Sequence, residues 1–161
     1  KILCAKYRKG HFEGVLDVMN RLTKLIRPNK IFMGEKDFQQ YYLVKKYTEK
    51  KNIYKIILCK TIRNKNGLAL SSRNLLLNKK QIKKAEKLTQ ILINLKKKIK
   101  FKKNTKKNLL KKKIELNKLF KLKIEYLELR NIKNLKYSTQ EKNSKIFISF
   151  YINKIRLIDN F

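Results

Sequence analysis

Apolar residues recur at helical spacing after a short glycine-containing segment at the start of the chain. Between Glu13 and Pro28 they lie three or four positions apart, which predicts an amphipathic helix that ends before the proline. A single apolar face indicates that this helix packs on a sheet. The residues of this face are Val15, Val18, Met19, Leu22, Leu25 and Ile26.

Two apolar runs, residues 31–33 and 53–59, predict buried strands on either side of a second helical segment. That segment carries Leu43, Val44 and Tyr47 at helical spacing. Helix, strand, helix and strand joined by short connections predict a parallel sheet with right-handed crossovers. Ligands of such sheets bind at the carboxyl ends of the strands.

The second half of the chain predicts helices followed by strands. An apolar stripe after the candidate N-cap Asn78 predicts one helix, and residues 105–120 predict another. Residues 122–126 alternate like a strand whose phase slips at Leu127 and Leu129, which indicates a β-bulge. Residues 146–152 and 155–158 predict a hairpin, so we expect a small α+β domain with an antiparallel sheet. The stripe comprises Ile82, Ala85, Leu88, Ile91, Leu92, Leu95 and Ile99.

The composition allows a folded core and adds a strong positive charge. The chain has 161 residues, of which 42% are hydrophobic, and its formal charge of +33 comes from 44 Lys and Arg against 11 Asp and Glu. The excess is mostly lysine and accompanies abundant Asn and Ile, which an AT-rich coding sequence favours. We therefore expect salt-sensitive, non-specific binding of nucleic acid rather than a dedicated reader.

Cysteine usage and hydropathy favour a cytoplasmic location. Cys4 and Cys59 form no CxxC pair and have no clustered histidines, so neither a zinc site nor a disulfide is predicted. No apolar run approaches 18 residues and no signal peptide is visible, so membrane insertion is not expected. The chain begins with Lys1 rather than Met, and we expect a fragment.

The first candidate site follows the strand predicted over residues 31–33. Gly34 at the end of a strand and the start of a helix would let a ligand approach the backbone, and the first N–H groups of the helix attract an anion. Lys36 adds a positive charge, and Gln40, four residues later, would share its helix face. The alternative interpretation is a solvated connection.

The second candidate site follows a tight-turn signal at Asn66 and Gly67. The adjacent hydroxyls of Ser71 and Ser72 and the guanidinium of Arg73 form an anion-binding set, because Arg73 can contact phosphate oxygens bidentately. A helix cap or a polar loop is the alternative.

Four segments in register carry a resemblance to a known family. Residues 8–15, 34–40, 67–74 and 156–160 resemble segments of pantothenate synthetase (pantoate/beta-alanine ligase). The resemblance implies a partial Rossmann-like, nucleotidyltransferase-type parallel sheet followed by a small α+β domain. We expect residues 1–61 to belong to the nucleotide-binding domain and residues 62–161 to form the small domain that carries the ATP-phosphate loop.

The resemblance also implies the reaction. ATP and pantoate would give pantoyl adenylate and pyrophosphate, and beta-alanine would then attack to give pantothenate and AMP. Mg²⁺ would arrive with ATP, and no protein-only metal cage is visible. The family forms homodimers through its nucleotide-binding domain.

Site residues are likewise implied by the resemblance. Lys36 and Arg73 would be catalytic, Gln40 would bind pantoate, and Arg8 and His11 are secondary candidates. His11 is the only histidine of the chain, and a structural role is the alternative for it. The residues implied to contact ATP are Gly34, Glu35, Lys36, Asp37, Ile62, Leu70, Ser71, Ser72 and Arg73.

One element of the family pattern is not found in these 161 residues. It is the nucleotide-binding motif of two histidines flanking a short turn, and His11 belongs to a different segment. We therefore expect no ligase activity from this polypeptide by itself. Two alternatives stay open: a basic nucleic-acid-binding remnant and another adenylate-forming enzyme of the nucleotidyltransferase type.

Overall fold

The computed structural model describes residues 2–49, 54–98, 105–140 and 142–161. The chain divides into two compact units, residues 1–61 and 62–161. Ile53 and Ile99, which the sequence pattern assigns to a strand and a helix, lie outside the described residues. None of the helices in these ranges is both long and apolar enough to cross a bilayer.

The described residues of the first unit form a two-stranded parallel sheet and three helices. Ile31 lies opposite Ile56, and Gly34 lies opposite Cys59. The alternation of helix and strand predicted from the sequence is therefore confirmed. Its elements are α1 (Cys4–Tyr7), α2 (His11–Ile26), β1 (Lys30–Gly34), a 3₁₀ turn (Glu35–Asp37), α3 (Phe38–Glu49) and β2 (Lys55–Cys59).

Helix α2 begins at His11, two residues before the predicted start. Gly10 precedes it with a left-handed φ of 73°, a conformation that glycine adopts without a steric cost, so the chain turns directly into the helix. The predicted end before Pro28 is confirmed. Arg27 closes the helix in the left-handed region, and its N–H donates to the carbonyl of Thr23 at 3.0 Å.

The apolar face of α2 does not pack as predicted. Val18, Leu22, Leu25 and Ile26 are 45–81% exposed, and within the described residues α2 packs mainly against α3. Helix α3, by contrast, contacts both β1 and β2, the two strands that pair in the described part of this unit.

In the described residues of the second unit, two helices pack on a three-stranded antiparallel sheet in the order β3-β4-β5. The predicted fold class, a parallel α/β part followed by a small α+β part, is confirmed. The centre of its core is formed by Leu88, Leu92, Leu116, Ile146 and Ile148, each at most 1% exposed. Its elements are a 3₁₀ turn (Ser72–Leu76), α4 (Lys79–Lys98), α5 (Thr105–Phe120), β3 (Lys123–Asn131), β4 (Ser144–Ile152) and β5 (Ile155–Asn160).

Two local features of this unit follow from the sequence as predicted. Asn78 caps α4 in a reciprocal pair, because its Oδ1 accepts from the N–H of Gln81 at 3.0 Å and its own N–H donates to Gln81 Oε1 at 2.8 Å. The register of β3 against β4 shifts between Ile124 and Tyr126, which confirms the bulge and leaves Glu125 as the extra residue.

Candidate functional site

Gly34, the last residue of β1, faces open space in the described part of the chain. Gly34 has ordinary extended backbone angles, φ −69° and ψ 134°, and a Cβ placed on it would meet no atom within 4 Å in the described part of the chain. Neither backbone conformation nor internal packing of that part requires a glycine here.

The geometry after Gly34 differs from the predicted continuous helix. Glu35, Lys36 and Asp37 form a 3₁₀ turn, and α3 starts only at Phe38. Lys36 and Gln40 therefore do not share the face of one α-helix. Lys36 and Gln40 are partly exposed, Asp37 is exposed, and the ring of Phe38 is buried.

Gln39 anchors the first turn of α3 to the beginning of the chain, a role that no pattern in the sequence signalled. Its Oε1 accepts from the N–H of Cys4 at 2.9 Å, and its Nε2 donates to the carbonyl of Ile2 at 2.9 Å. The side chain can be buried because both the oxygen and the nitrogen of its amide have hydrogen-bond partners. The neighbouring Gln40 takes no part in this anchor.

The secondary candidates Arg8 and His11 contact each other. Arg8 Nη1 lies 2.7 Å from His11 Nε2. Because a guanidinium can only donate, Nε2 must be the acceptor, and this assigns the proton of a neutral imidazole to Nδ1. The imidazole of His11 also contacts the ring of Phe12 in a tilted arrangement, with centroids 4.9 Å apart and an interplanar angle of 48°.

In the second unit, residues 62–70 form a tight hairpin, as the Asn-Gly signal predicts. The N–H of Leu70 donates to the carbonyl of Ile62 at 2.9 Å, and Arg63 pairs with Ala69. Asn64 Oδ1 accepts the N–H groups of Asn66 and Leu68, both at 3.0 Å. These bonds are the Asx-turn chemistry that closes a tight hairpin.

Arg63 fastens this hairpin to the last strand. Its Nη1 and Nη2 donate to the two carboxylate oxygens of Asp159 at 2.7 and 2.9 Å. The same guanidinium donates to the carbonyls of Gly67 and Asn160 and lies over the ring of Phe161, 4.9 Å from its centroid. In the sequence, Asp159 stood out only as part of a motif, and Arg63 did not stand out.

The predicted phosphate loop leaves the hairpin at Leu70, which is 54% exposed. Ser71 Oγ accepts the N–H of Arg73 at 3.3 Å, so Ser71 caps the short 3₁₀ turn, as the alternative interpretation allows. Ser72 and Arg73 are exposed, and Arg73 Nη1 donates to the carbonyl of Arg156 at 3.1 Å.

Glu125 on β3 carries a buried carboxylate that binds Arg156 on β5. Burial of Glu125 acts to raise its pKa, but hydrogen bonds from Arg156 and Ser149, the charge of Arg156 and a hydrogen bond from Tyr151 outweigh that effect and hold the pKa below its ordinary value. The carboxylate is therefore ionised at neutral pH. Its position at the β-bulge was signalled by the phase slip, but its charge partners were not.

The sequence-predicted residues thus form separate groups within their own units. Gly34, Glu35, Lys36, Asp37 and Gln40 lie at one strand-to-helix junction, and Arg8 lies beside His11. Ile62, Leu70, Ser71, Ser72 and Arg73 lie on and just after one hairpin. In the described ranges, no three His, Cys, Asp or Glu side chains cluster as metal ligands.

Sequence comparison finds relatives over almost the whole chain. The pantothenate synthetase of Clostridium botulinum (strain ATCC 19397 / Type A) is 40% identical over 163 residues, and that of Wigglesworthia glossinidia brevipalpis is 41% identical over 166. Each match covers 99% of this chain but only 58% of the relative. The chain therefore spans little more than half the length of these relatives.

Solved structures agree with the sequence relatives. A pantothenate synthetase from Thermus thermophilus superposes with a TM-score of 0.83 at 25% identity, over 99% of this chain and 59% of that one. A pantoate-beta-alanine ligase from Francisella tularensis, solved in complex with beta-gamma ATP and beta-alanine, gives a TM-score of 0.77 at 38% identity, over 99% of this chain and 53% of that one. These structures share the fold described above.

The family model of pantoate-beta-alanine ligase matches residues 1–161. Since this match extends over every residue and the relatives and structures agree with it, the chain belongs to the pantoate-beta-alanine ligase family.

Proposed function

We propose that this chain takes part in the ATP-dependent ligation of pantoate and beta-alanine to pantothenate. Pantoate and ATP would form pantoyl adenylate and pyrophosphate, and the amine of beta-alanine would then displace AMP. The observation that carries the proposal is the match of the family model to the entire chain. A Francisella relative in complex with beta-gamma ATP and beta-alanine supports the substrate assignment.

The first unit would supply groups that act on ATP and pantoate during adenylation. Joining a carboxylate to a triphosphate brings two anions together, so cationic groups and aligned donors must neutralise them at the reacting centre. Lys36 would stabilise the phosphate charge, with Gly34, Glu35 and Asp37 also contacting ATP, and Gln40 would bind pantoate. The open space at Gly34 and the partial exposure of Lys36 and Gln40 support these roles.

The second unit would supply the phosphate loop. Leu70, Ser71, Ser72 and Arg73 would close over the phosphates, and the backbone of Ile62 would contact adenine. The exposure of Ile62, Leu70, Ser72 and Arg73 supports access by a nucleotide. Serine hydroxyls and a guanidinium give directional hydrogen bonds and charge, which suit phosphate oxygens.

Further parts of the proposal follow from the family. Residues 1–61 would belong to the nucleotide-binding domain and residues 62–161 to the smaller domain. Mg²⁺ would enter with ATP as part of that substrate, and Arg8 and His11 would be secondary site residues. Homodimer formation and non-specific nucleic-acid binding stay predictions.

Pantoate-dependent exchange of labelled pyrophosphate into ATP tests the first step in the complete natural protein. Lys36→Ala and Gln40→Ala should each lower this exchange about 100-fold or more, because each removes a group that acts on the reacting anions. Lys24→Ala, an exposed lysine on α2, is the matched control and should leave it unchanged. Exchange that does not depend on pantoate, or whose rate is unchanged by both substitutions, would contradict the proposal.

The 161-residue polypeptide by itself should form no pantothenate. It spans 58% of its curated relatives, and incomplete positioning can remove orders of magnitude in rate. Pantothenate produced by this polypeptide in ATP, pantoate and beta-alanine would refute this part of the proposal.

Pantoate-dependent pyrophosphate exchange, together with a measurement of RNA affinity, separates the two alternatives. For a basic nucleic-acid-binding remnant, Lys36→Ala and Gln40→Ala would leave RNA affinity unchanged and no pantoate-dependent exchange would exist. For another adenylate-forming enzyme, a different carboxylate would replace pantoate in the exchange.

A further inference from the structure

Arg63 lies at the base of the hairpin that leads into the proposed phosphate loop. Its guanidinium makes four hydrogen bonds of 2.7–3.0 Å, two to the carboxylate of Asp159 and one each to the carbonyls of Gly67 and Asn160. One side chain therefore joins the turn of the hairpin to the final strand.

The bidentate geometry of this ion pair makes it directional. The side chain of Asp159 is 5% exposed and that of Arg63 is 24% exposed. A buried carboxylate whose two oxygens are both held by a planar guanidinium allows little displacement, because a shift breaks short charge-assisted bonds that water does not replace. Lysine, with one ammonium group, does not reproduce this geometry.

The hairpin transmits the position of Arg63 to the loop. Arg63 pairs with Ala69 across the hairpin, and Leu70 bonds to the carbonyl of Ile62. After the loop, Asn74 Nδ2 donates back to the carbonyl of Ala69 at 3.0 Å. Both ends of residues 70–73 are thus hydrogen-bonded to the hairpin that Arg63 holds.

The last strand contacts the loop at a second point. Arg73 Nη1 donates to the carbonyl of Arg156, three residues before Asp159 on β5. The same strand therefore holds the base of the hairpin and the arginine of the loop, although the loop residues Leu70, Ser72 and Arg73 are themselves exposed.

We propose that Arg63 and Asp159 are positioning residues that hold residues 70–73 where they meet the nucleotide phosphates. This inference rests on the proposed function, and it assigns neither residue a contact with substrate. Without the pair, residues 70–73 would keep their own phosphate-binding groups but would lose their fixed position within the unit.

The test is steady-state pyrophosphate exchange by the complete natural protein, with KM for ATP and kcat measured separately. Arg63→Lys should lower kcat/KM for ATP about 10- to 100-fold, with a raised KM for ATP, since a misplacement of about 1 Å can have an effect of that size. KM for pantoate should stay within about twofold, because the pantoate residue Gln40 is in the other unit. Partial unfolding would instead reduce the active fraction and leave KM for ATP unchanged.

Arg130→Lys is the matched control. Arg130 is also a buried arginine on a carboxylate of the same unit, 2.6 Å from Glu128, but its other partners are Leu135 and Tyr137 rather than the hairpin. It should alter stability without changing KM for ATP. Asp159→Asn, which keeps the side-chain shape, replaces Arg63→Lys if the latter fails to fold, with the same expected effect.

The outcomes are distinct. This inference alone is overturned if the wild-type protein is active and the variants Arg63→Lys and Asp159→Asn have the same KM for ATP as Arg130→Lys. A wild-type protein with no pantoate-dependent exchange would overturn the proposed function and this inference with it.

Discussion

Glu125 and Arg156 form a buried ion pair inside the three-stranded sheet. Arg156 Nε and Nη2 both donate to Glu125 Oε2, at 2.8 and 2.7 Å, and the two side chains are 7% and 12% exposed. Ser149 Oγ donates to the same oxygen at 2.8 Å, and the Tyr151 hydroxyl donates to Oε1 at 3.2 Å. The β-bulge at Glu125 thus brings one carboxylate onto three residues of β4 and β5.

This pair should make the second unit sensitive to acid. The folded pKa of Glu125 lies below its ordinary value of 4.5, so its stabilising effect is fully present above that value and is lost as the pH falls through the lower, folded pKa. Glu125→Gln should lower the free energy of unfolding by about 3 kcal/mol at neutral pH, because Arg156 stays buried without its counter-charge. It should also flatten the acid limb of the stability profile, measured by urea unfolding at a series of pH values.

Glu115→Gln is the control for this prediction. Glu115 pairs with Lys112 on the exposed surface of α5, where its side chain is 57% exposed, so its loss should change stability by less than about 0.5 kcal/mol. Equal effects of the two substitutions would contradict the assigned role of Glu125.

Gly67→Ala should destabilise the protein by about 2 kcal/mol. Gly67 has a φ of 86°, which an L-residue rarely adopts, and a Cβ there would lie 3.0 Å from Ile93 Cδ1. Ile93→Val removes that carbon, so adding it should recover the steric part of the loss but not the backbone part. Thermal unfolding of the single and double variants measures both parts.

Gly14→Ala should change the stability in the opposite direction from Gly67→Ala. Gly14 lies inside α2 without a positive φ, and a Cβ there meets no described atom within 4 Å, so alanine should stabilise the helix by about 0.5–1 kcal/mol. Stabilisation by Gly67→Ala as well would show that the left-handed turn is not required.

Gln39→Ala and Gln40→Ala should separate structure from binding at adjacent positions. Gln39→Ala removes both hydrogen bonds to Ile2 and Cys4 and should cost about 1–3 kcal/mol and speed hydrogen exchange at the Cys4 amide. Gln40→Ala should leave stability nearly unchanged and lower pantoate-dependent exchange. A Cys4 amide that stays equally protected in Gln39→Ala would contradict the anchor.

Local patterns in the sequence predicted most of the elements. Helical spacing, the Asn78 cap, the Asn66-Gly67 turn and the phase slip at the bulge are determined by neighbours within a few residues, and all appear in the structure. The segments that carry the family resemblance are also contiguous, and the family assignment is confirmed. The individual site roles stay predictions.

The tertiary structure alone decided which residues meet across long separations. The partners of Arg63 at Asp159, of Glu125 at Arg156 and of Gln39 at Cys4 are 96, 31 and 35 positions apart, and no periodicity encodes them. It also decided that the apolar face of α2 stays exposed in the described residues, because periodicity marks which face of a helix is apolar but not what covers it. Interactions between residues close in sequence therefore determined the helices, turns and strands, and tertiary packing determined which distant side chains contact each other.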